Sequence, residues 1–178
     1  MLTEYITRMD FTILDWIQAH LQCEFLDHFF PVFTCLGEKG WFFILFAVIL
    51  LGIPKTRKWG ACLTCSLLLG LLFGNLIIKN IVARTRPYDM VDNFMLLVER
   101  LSDYSFPSGH TLAAFEFLAV ICMMPVKKLY KVLAGVFAFT MAFSRLYLYV
   151  HFPSDVLAGM LLGTLFGVMG VRIVTMIM

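Results

Sequence analysis

Charge is scarce in this chain: 15% of its 178 residues are Asp, Glu, Lys or Arg, against 61% that are hydrophobic, and the mean hydropathy is +0.87. So little charge excludes an ordinary soluble domain and marks a polytopic membrane protein. Pro/Ser-rich linkers, low-complexity tracts and internal repeats are also missing, so residues 1–178 are expected to form one domain. No cleavable signal peptide is expected, because Glu4, Arg8, Asp10 and Asp15 interrupt the apolar positions of the first twenty residues. Cysteine is sparse and odd in number: Cys23, Cys35, Cys62, Cys65 and Cys122 lie mostly in apolar runs, which disfavours a disulfide framework and favours buried free thiols. Cys62 and Cys65 form a C-x-x-C, but no second pair or nearby histidine completes a metal set.

What is present is long apolar sequence. Residues 60–78 carry no charge, and about 20 apolar residues cross a bilayer core as a helix. Four more spans are expected at Trp41–Ile53, Thr111–Val126, Val132–Leu148 and Val156–Met176, giving an all-α bundle of five transmembrane helices. Lys55, Arg57 and Lys58 lie between the first two spans, and Lys127, Lys128 and Lys131 between the third and fourth, with no acid in either loop. The positive-inside rule makes both loops cytoplasmic. Residues 79–110 and 145–155 then fall on the extracytoplasmic side of a cell membrane.

The first 36 residues are too polar for a lipid-exposed span. Asp10 can N-cap a helix whose Phe11, Leu14, Ile17 and Leu21 share one face, and a second short helix is expected near Phe25–Cys35. Residues 1–36 therefore read as interfacial or partly inserted helices, with a sixth span as the alternative, and residues 37–178 as the core bundle. In the last span Gly159, Gly163 and Gly167 recur every fourth residue. Tight packing within the chain is the favoured reading, and a homodimer seam the alternative.

The two extracytoplasmic connections hold three polar clusters: Lys79 with Arg86-Pro87, Pro107-Ser108-Gly109-His110, and Ser144-Arg145 with His151 and Asp155. Three cations, two histidines and a carboxylate on one side of a hydrocarbon-rich chain make an anion site, and phosphate fits it best. Lys79, Arg86 and Arg145 can clamp nonbridging oxygens. Gly109 lets backbone approach a ligand, and Ser108 can both N-cap the following helix and donate to phosphate. Asp155, four residues after His151, can hold one ring N–H and leave the other nitrogen nucleophilic. His110 is then left for general acid–base work. Taken singly, the cations can be snorkelling residues and Pro107–Gly109 an ordinary turn; their joint placement is what weakens those readings.

The clusters read K-x6-R-P, P-S-G-H and S-R-x5-H-x3-D, and in this they resemble the type 2 phosphatidic acid phosphatase (PAP2) superfamily at every specified position, over roughly residues 60–175. The resemblance implies a helical bundle, usually of six membrane helices, in which His151 forms a phosphohistidine, Asp155 supports it and His110 is the acid–base partner. It implies that Lys79, Arg86, Ser108, Gly109 and Arg145 bind phosphate, with no metal and no cofactor. The expected activity is hydrolysis of the terminal phosphate of a lipid phosphate or pyrophosphate, undecaprenyl pyrophosphate first, with phosphatidylglycerophosphate or phosphatidic acid as alternatives. A phosphate-lipid binder or transporter is the alternative of another class. Membrane lipids are expected partners and nucleic acid is not.

Outside the signature, Arg84, Tyr88, Asp103 and Tyr104 flank the motifs and can shape the mouth of the site, with surface solvation favoured for Asp103. Glu116, alone in the third span, is expected to face the bundle interior and pair with a donor such as Asn75. Asn75 itself lies one turn before Lys79 and can help position it, although core satisfaction is simpler.

Overall fold

The computed structural model describes residues 2–92 and 94–178. Its helices are α1 (Leu2–Leu21), α2 (Glu24–Thr34), α3 (Trp41–Gly52), α4 (Arg57–Leu69), α5 (Lys79–Val82), α6 (Gly109–Met123), α7 (Lys128–Tyr147) and α8 (Pro153–Ile177). No strand occurs among the described residues, so the all-α expectation holds. A π-helical stretch, Gly70–Ile78, joins α4 to α5 without a break, and a 3-10 segment, Cys35–Gly40, joins α2 to α3.

Among the described residues, four segments are long and apolar enough to cross a membrane: Glu24–Gly52, Arg57–Asp89, Lys128–Tyr147 and Pro153–Ile177. The remaining expected span is α6, which at 15 residues is shorter than that length. It can be short because its flanks are protein: it packs against α8 above all, then α7, with α4 and the 3-10 segment also in contact. Phenylalanines tie α3, α6 and α7 together, with Phe46 on Phe117 and Phe42 on Phe137 at ring separations of 4.9 and 5.0 Å.

The N-terminal region departs from expectation. Expected as a separate short helix, α2 runs along α7, with Phe30 against Tyr147 and Phe33 against Phe137, and continues into α3 as one bent apolar segment. The bend comes from non-helical Glu38 and Lys39 followed by Gly40 at φ +70°, a conformation most easily taken by glycine. Asp10 is no N-cap either, because α1 begins eight residues earlier and Asp10 is buried at mid-helix. The apolar face does pack: Leu14 and Ile17, flanked by Phe11 and Leu21, bury against Tyr147–Val150 and Phe152. On the other face Ile6, Met9, Ile13 and Trp16 are exposed.

The glycine stripe of α8 is taken up within the chain. A Cβ at Gly163 would stand 2.3 Å from the Leu112 carbonyl oxygen, and at Gly167 2.5 Å from Ala119 Cβ, so the face expected as a possible dimer seam is filled by α6. Glu116 is buried, as expected, but beside Gly70 rather than bonded to Asn75; Asn75 Oδ1 lies against Gly109. All five cysteines are free, yet only Cys62 is buried and Cys23, Cys35 and Cys122 are exposed, since helical periodicity turns some positions of any apolar run outward. Along the chain, α5 and α7 end, and α6 and α8 begin, at one end of the bundle. The cation-rich connections α3–α4 and α6–α7 lie at the other.

Candidate active site

Each signature residue is set by a helix end at the first of these two levels. The helix that starts at Arg57 delivers Lys79 after its widened π turns, and π segments recur at functional sites because they re-aim the side chains that follow. Ala83, left-handed at φ +47°, then stops α5 and turns the chain toward Arg84 and Arg86. Arg145 closes α7, and a left-handed Tyr149 reverses the chain so that His151 enters the site. α8 opens with Pro153 at its first position, and Asp155 reaches back to accept the Phe152 N–H at 2.9 Å, as an N3 carboxylate does. Ser108 occupies the N-cap position of α6, but its hydroxyl pairs with Thr111 Oγ1 at 3.0 Å rather than capping the backbone. Its N–H donates to the Asp155 carbonyl at 3.2 Å, stitching the second cluster to the third.

The three clusters converge. Arg86 donates from Nη1 to the Val150 carbonyl (2.7 Å) and approaches His151 Nε2 at 3.2 Å. A guanidinium only donates, so Nε2 accepts and the ring proton falls to Nδ1. Nδ1 faces Asp155 Oδ2 at 3.7 Å, beyond hydrogen-bond reach, with Ser105 Oγ between them: 3.5 Å from Nδ1 and donating to Oδ2 at 2.5 Å. Burial first, then the charges of Arg86, Arg145 and Lys79, push the His151 imidazole well below its usual pKa, with Asp103 opposing. Arg145 donates from Nη1 to Thr34 Oγ1, while its Nε and His110 Nε2 are buried without a hydrogen-bond partner in the protein. Buried polar groups of that kind are uncommon and costly, and they collect where chemistry is done.

Several contributors carry no signal in the motifs. Asp103 is exposed, as expected, and also accepts from Lys79 Nζ at 2.5 Å and from Arg86 Nη2 at 2.6 Å. Burial pushes its carboxyl up, but Lys79 and Arg86 override this and hold it at about 2. Arg84 binds Asp155 Oδ1 at 2.6 Å. Gly37 lies against the His110 ring, and Thr34 against Arg145. Tyr88 is not at the mouth: it is buried, with its hydroxyl bonded to both backbone groups of Leu101. Among the described residues, no group of three His, Cys, Asp or Glu side chains is arranged to hold a metal.

This arrangement can bind a tetrahedral anion between cations, attack it from an imidazole and exchange a proton with a second imidazole. Residues 59–178 match the model of the PAP2 superfamily. The chain is 33% identical over 142 residues to an undecaprenyl-diphosphatase of Sulfolobus acidocaldarius, covering 80% of this chain and 68% of that one. To phosphatidylglycerophosphatase B of Bacillus subtilis it is 36% identical over 147 residues, covering 74% and 67%. The crystal structure of Aquifex aeolicus LpxE superposes with a TM-score of 0.80 at 27% identity, covering 91% of this chain and 94% of that one. A match across most of the chain, on motifs that fold into one site, makes this protein a member of the PAP2 superfamily and a membrane-embedded phosphoric ester hydrolase.

Proposed function

We propose that the protein removes the terminal phosphate of a lipid pyrophosphate, undecaprenyl pyrophosphate first, through a covalent phosphohistidine on His151. The observation that carries this is the two-sided setting of His151, with Nε2 toward Arg86 and Nδ1 toward Asp155. Lys79, Arg86 and Arg145, with Ser108 and the Gly109 backbone, hold the nonbridging oxygens. Nε2 attacks phosphorus, the bond to the bridging oxygen breaks, and His110 gives that oxygen its proton. Water then attacks the phosphohistidine, His110 takes the proton back, and inorganic phosphate leaves with the imidazole restored. Asp155 and Ser105 offset the positive charge on the ring while the P–N bond exists.

Hydrolysis of phosphatidylglycerophosphate is the second reading, supported by the likeness to the Bacillus subtilis phosphatase. On either reading residues 1–178 work as one domain. The site faces away from the cytoplasm across the plasma membrane, in keeping with the cation-rich loops at the opposite end. The test is phosphate release by the purified protein in detergent with EDTA, from polyprenyl pyrophosphate, phosphatidylglycerophosphate and phosphatidic acid. His151→Ala is expected to abolish release, and an acid-labile phosphohistidine to be trapped in the active protein. Full activity in the His151 variant, or strict dependence on added metal, would overturn the mechanism.

A further inference from the structure

Asp155 is fully buried, and its closest cation is not His151 but Arg84, whose Nη1 stands 2.6 Å from Oδ1. The same guanidinium holds Ser154 Oγ at 2.7 Å and Asp10 Oδ2 at 2.8 Å, and lies 4.0 Å from the centre of the Phe152 ring. Asp10 completes the set by accepting the Ser154 N–H at 2.9 Å and the Ser154 hydroxyl. A buried carboxylate is costly unless paired, and here the guanidinium fork bridges two carboxylates, Nη1 to Asp155 and Nη2 to Asp10, so that Asp155 is paired through a cation itself held from the other side. Arg84 lies between the two cations of the first motif, and Asp10 lies outside the region that matches the family.

We propose that Arg84 is a positioning residue that sets the carboxylate of Asp155 behind His151, and that Asp10 of α1 holds Arg84 in place, so that the N-terminal helix takes part in turnover. Arg84 and Asp10 are not proposed to touch substrate; they act through Asp155. This rests on the assignment of His151 as nucleophile and Asp155 as its support.

The test is steady-state kinetics of the full chain in detergent on lipid pyrophosphate. Wild type and His151→Ala come first: if wild type releases no phosphate, or His151→Ala keeps its activity, the functional reading and this inference fall together. With those controls in place, Arg84→Ala is expected to lower kcat by about 100-fold with KM changed less than about 3-fold, the size of loss a displaced catalytic group produces. Arg84→Lys should recover about 10-fold of that loss, since a point charge replaces the fork only in part. Asp10→Ala should lower kcat by about 10-fold alone and by no further amount in an Arg84→Ala background, because the two residues act in series. An Arg84→Ala enzyme with wild-type kcat, a loss confined to KM, or additive losses in the double variant would each overturn the inference while leaving the nucleophile assignment standing.

Discussion

Gly37 lies directly against His110: a Cβ built on it would stand 2.3 Å from Cδ2 of the ring. The bend between α2 and α3 thus forms the wall that fixes the proposed acid–base group. Gly37→Ala is expected to push the ring away and lower kcat by on the order of 100-fold, because sub-ångström placement governs proton transfer. Wild-type kcat in that variant, measured on whichever lipid phosphate the protein turns over, would show that the wall has no bearing on catalysis.

Asp103 predicts a pH-dependent stability. Its folded pKa of about 2 lies below the ordinary 3.8, so its ion pairs contribute fully above about pH 4, and that contribution is lost as pH falls toward about 2. Thermal melts of wild type and Asp103→Asn should differ by a constant amount above about pH 5 and converge between about pH 4 and pH 2. A gap that stays unchanged down to about pH 2 would assign the stabilisation to packing instead.

The depressed pKa of His151 predicts the acidic side of the rate profile. A group whose pKa is lowered keeps its neutral, nucleophilic form to lower pH than a free histidine at about 6.5. The acidic limb of kcat/KM is expected below about 6.5, once the ionisation of the substrate phosphate has been titrated separately. A limb centred at or above that value contradicts the environment described for the ring.

Gly163 separates packing from assembly. An added methyl would meet the Leu112 carbonyl oxygen at 2.3 Å, a backbone atom with nowhere to go. Gly163→Ala should cost about 1–3 kcal/mol of stability, as overpacking does, with the oligomeric state unchanged. Chemical denaturation and size-exclusion light scattering in one detergent measure both. A change of oligomeric state at wild-type stability would restore the dimer seam.

The signature residues were legible because their chemistry demands particular side chains at short spacings: His151 and Asp155 sit four apart, and the turn into α8, with Phe152 as its N-cap, keeps them close. The all-helical architecture followed with equal directness from apolar runs that only helices can carry through lipid. What was hidden is held by long-range packing. Asp10 meets Ser154 across 144 positions and Thr34 meets Arg145 across 111, and no local pattern encodes such pairs. Asp103 was half hidden for a related reason: its solvated position in a connecting loop was legible, but its pairing with Lys79 and Arg86 was not. The merging of α2 with α3 was obscured by Asp27 and His28, polar positions that broke the apolar run and made the two helices read as separate.

The helix that carries Asp10 turns Ile6, Met9, Ile13 and Trp16 outward on its opposite side. Apolar contact of that kind is what seats a helix in the headgroup region of a bilayer. On the proposal that Asp10 holds Arg84, lipid contact along this outer face would support the end of the bundle where Arg84 meets Asp155. It follows from that proposal that an agent which frees α1 should slow the enzyme without touching a single residue of its signature.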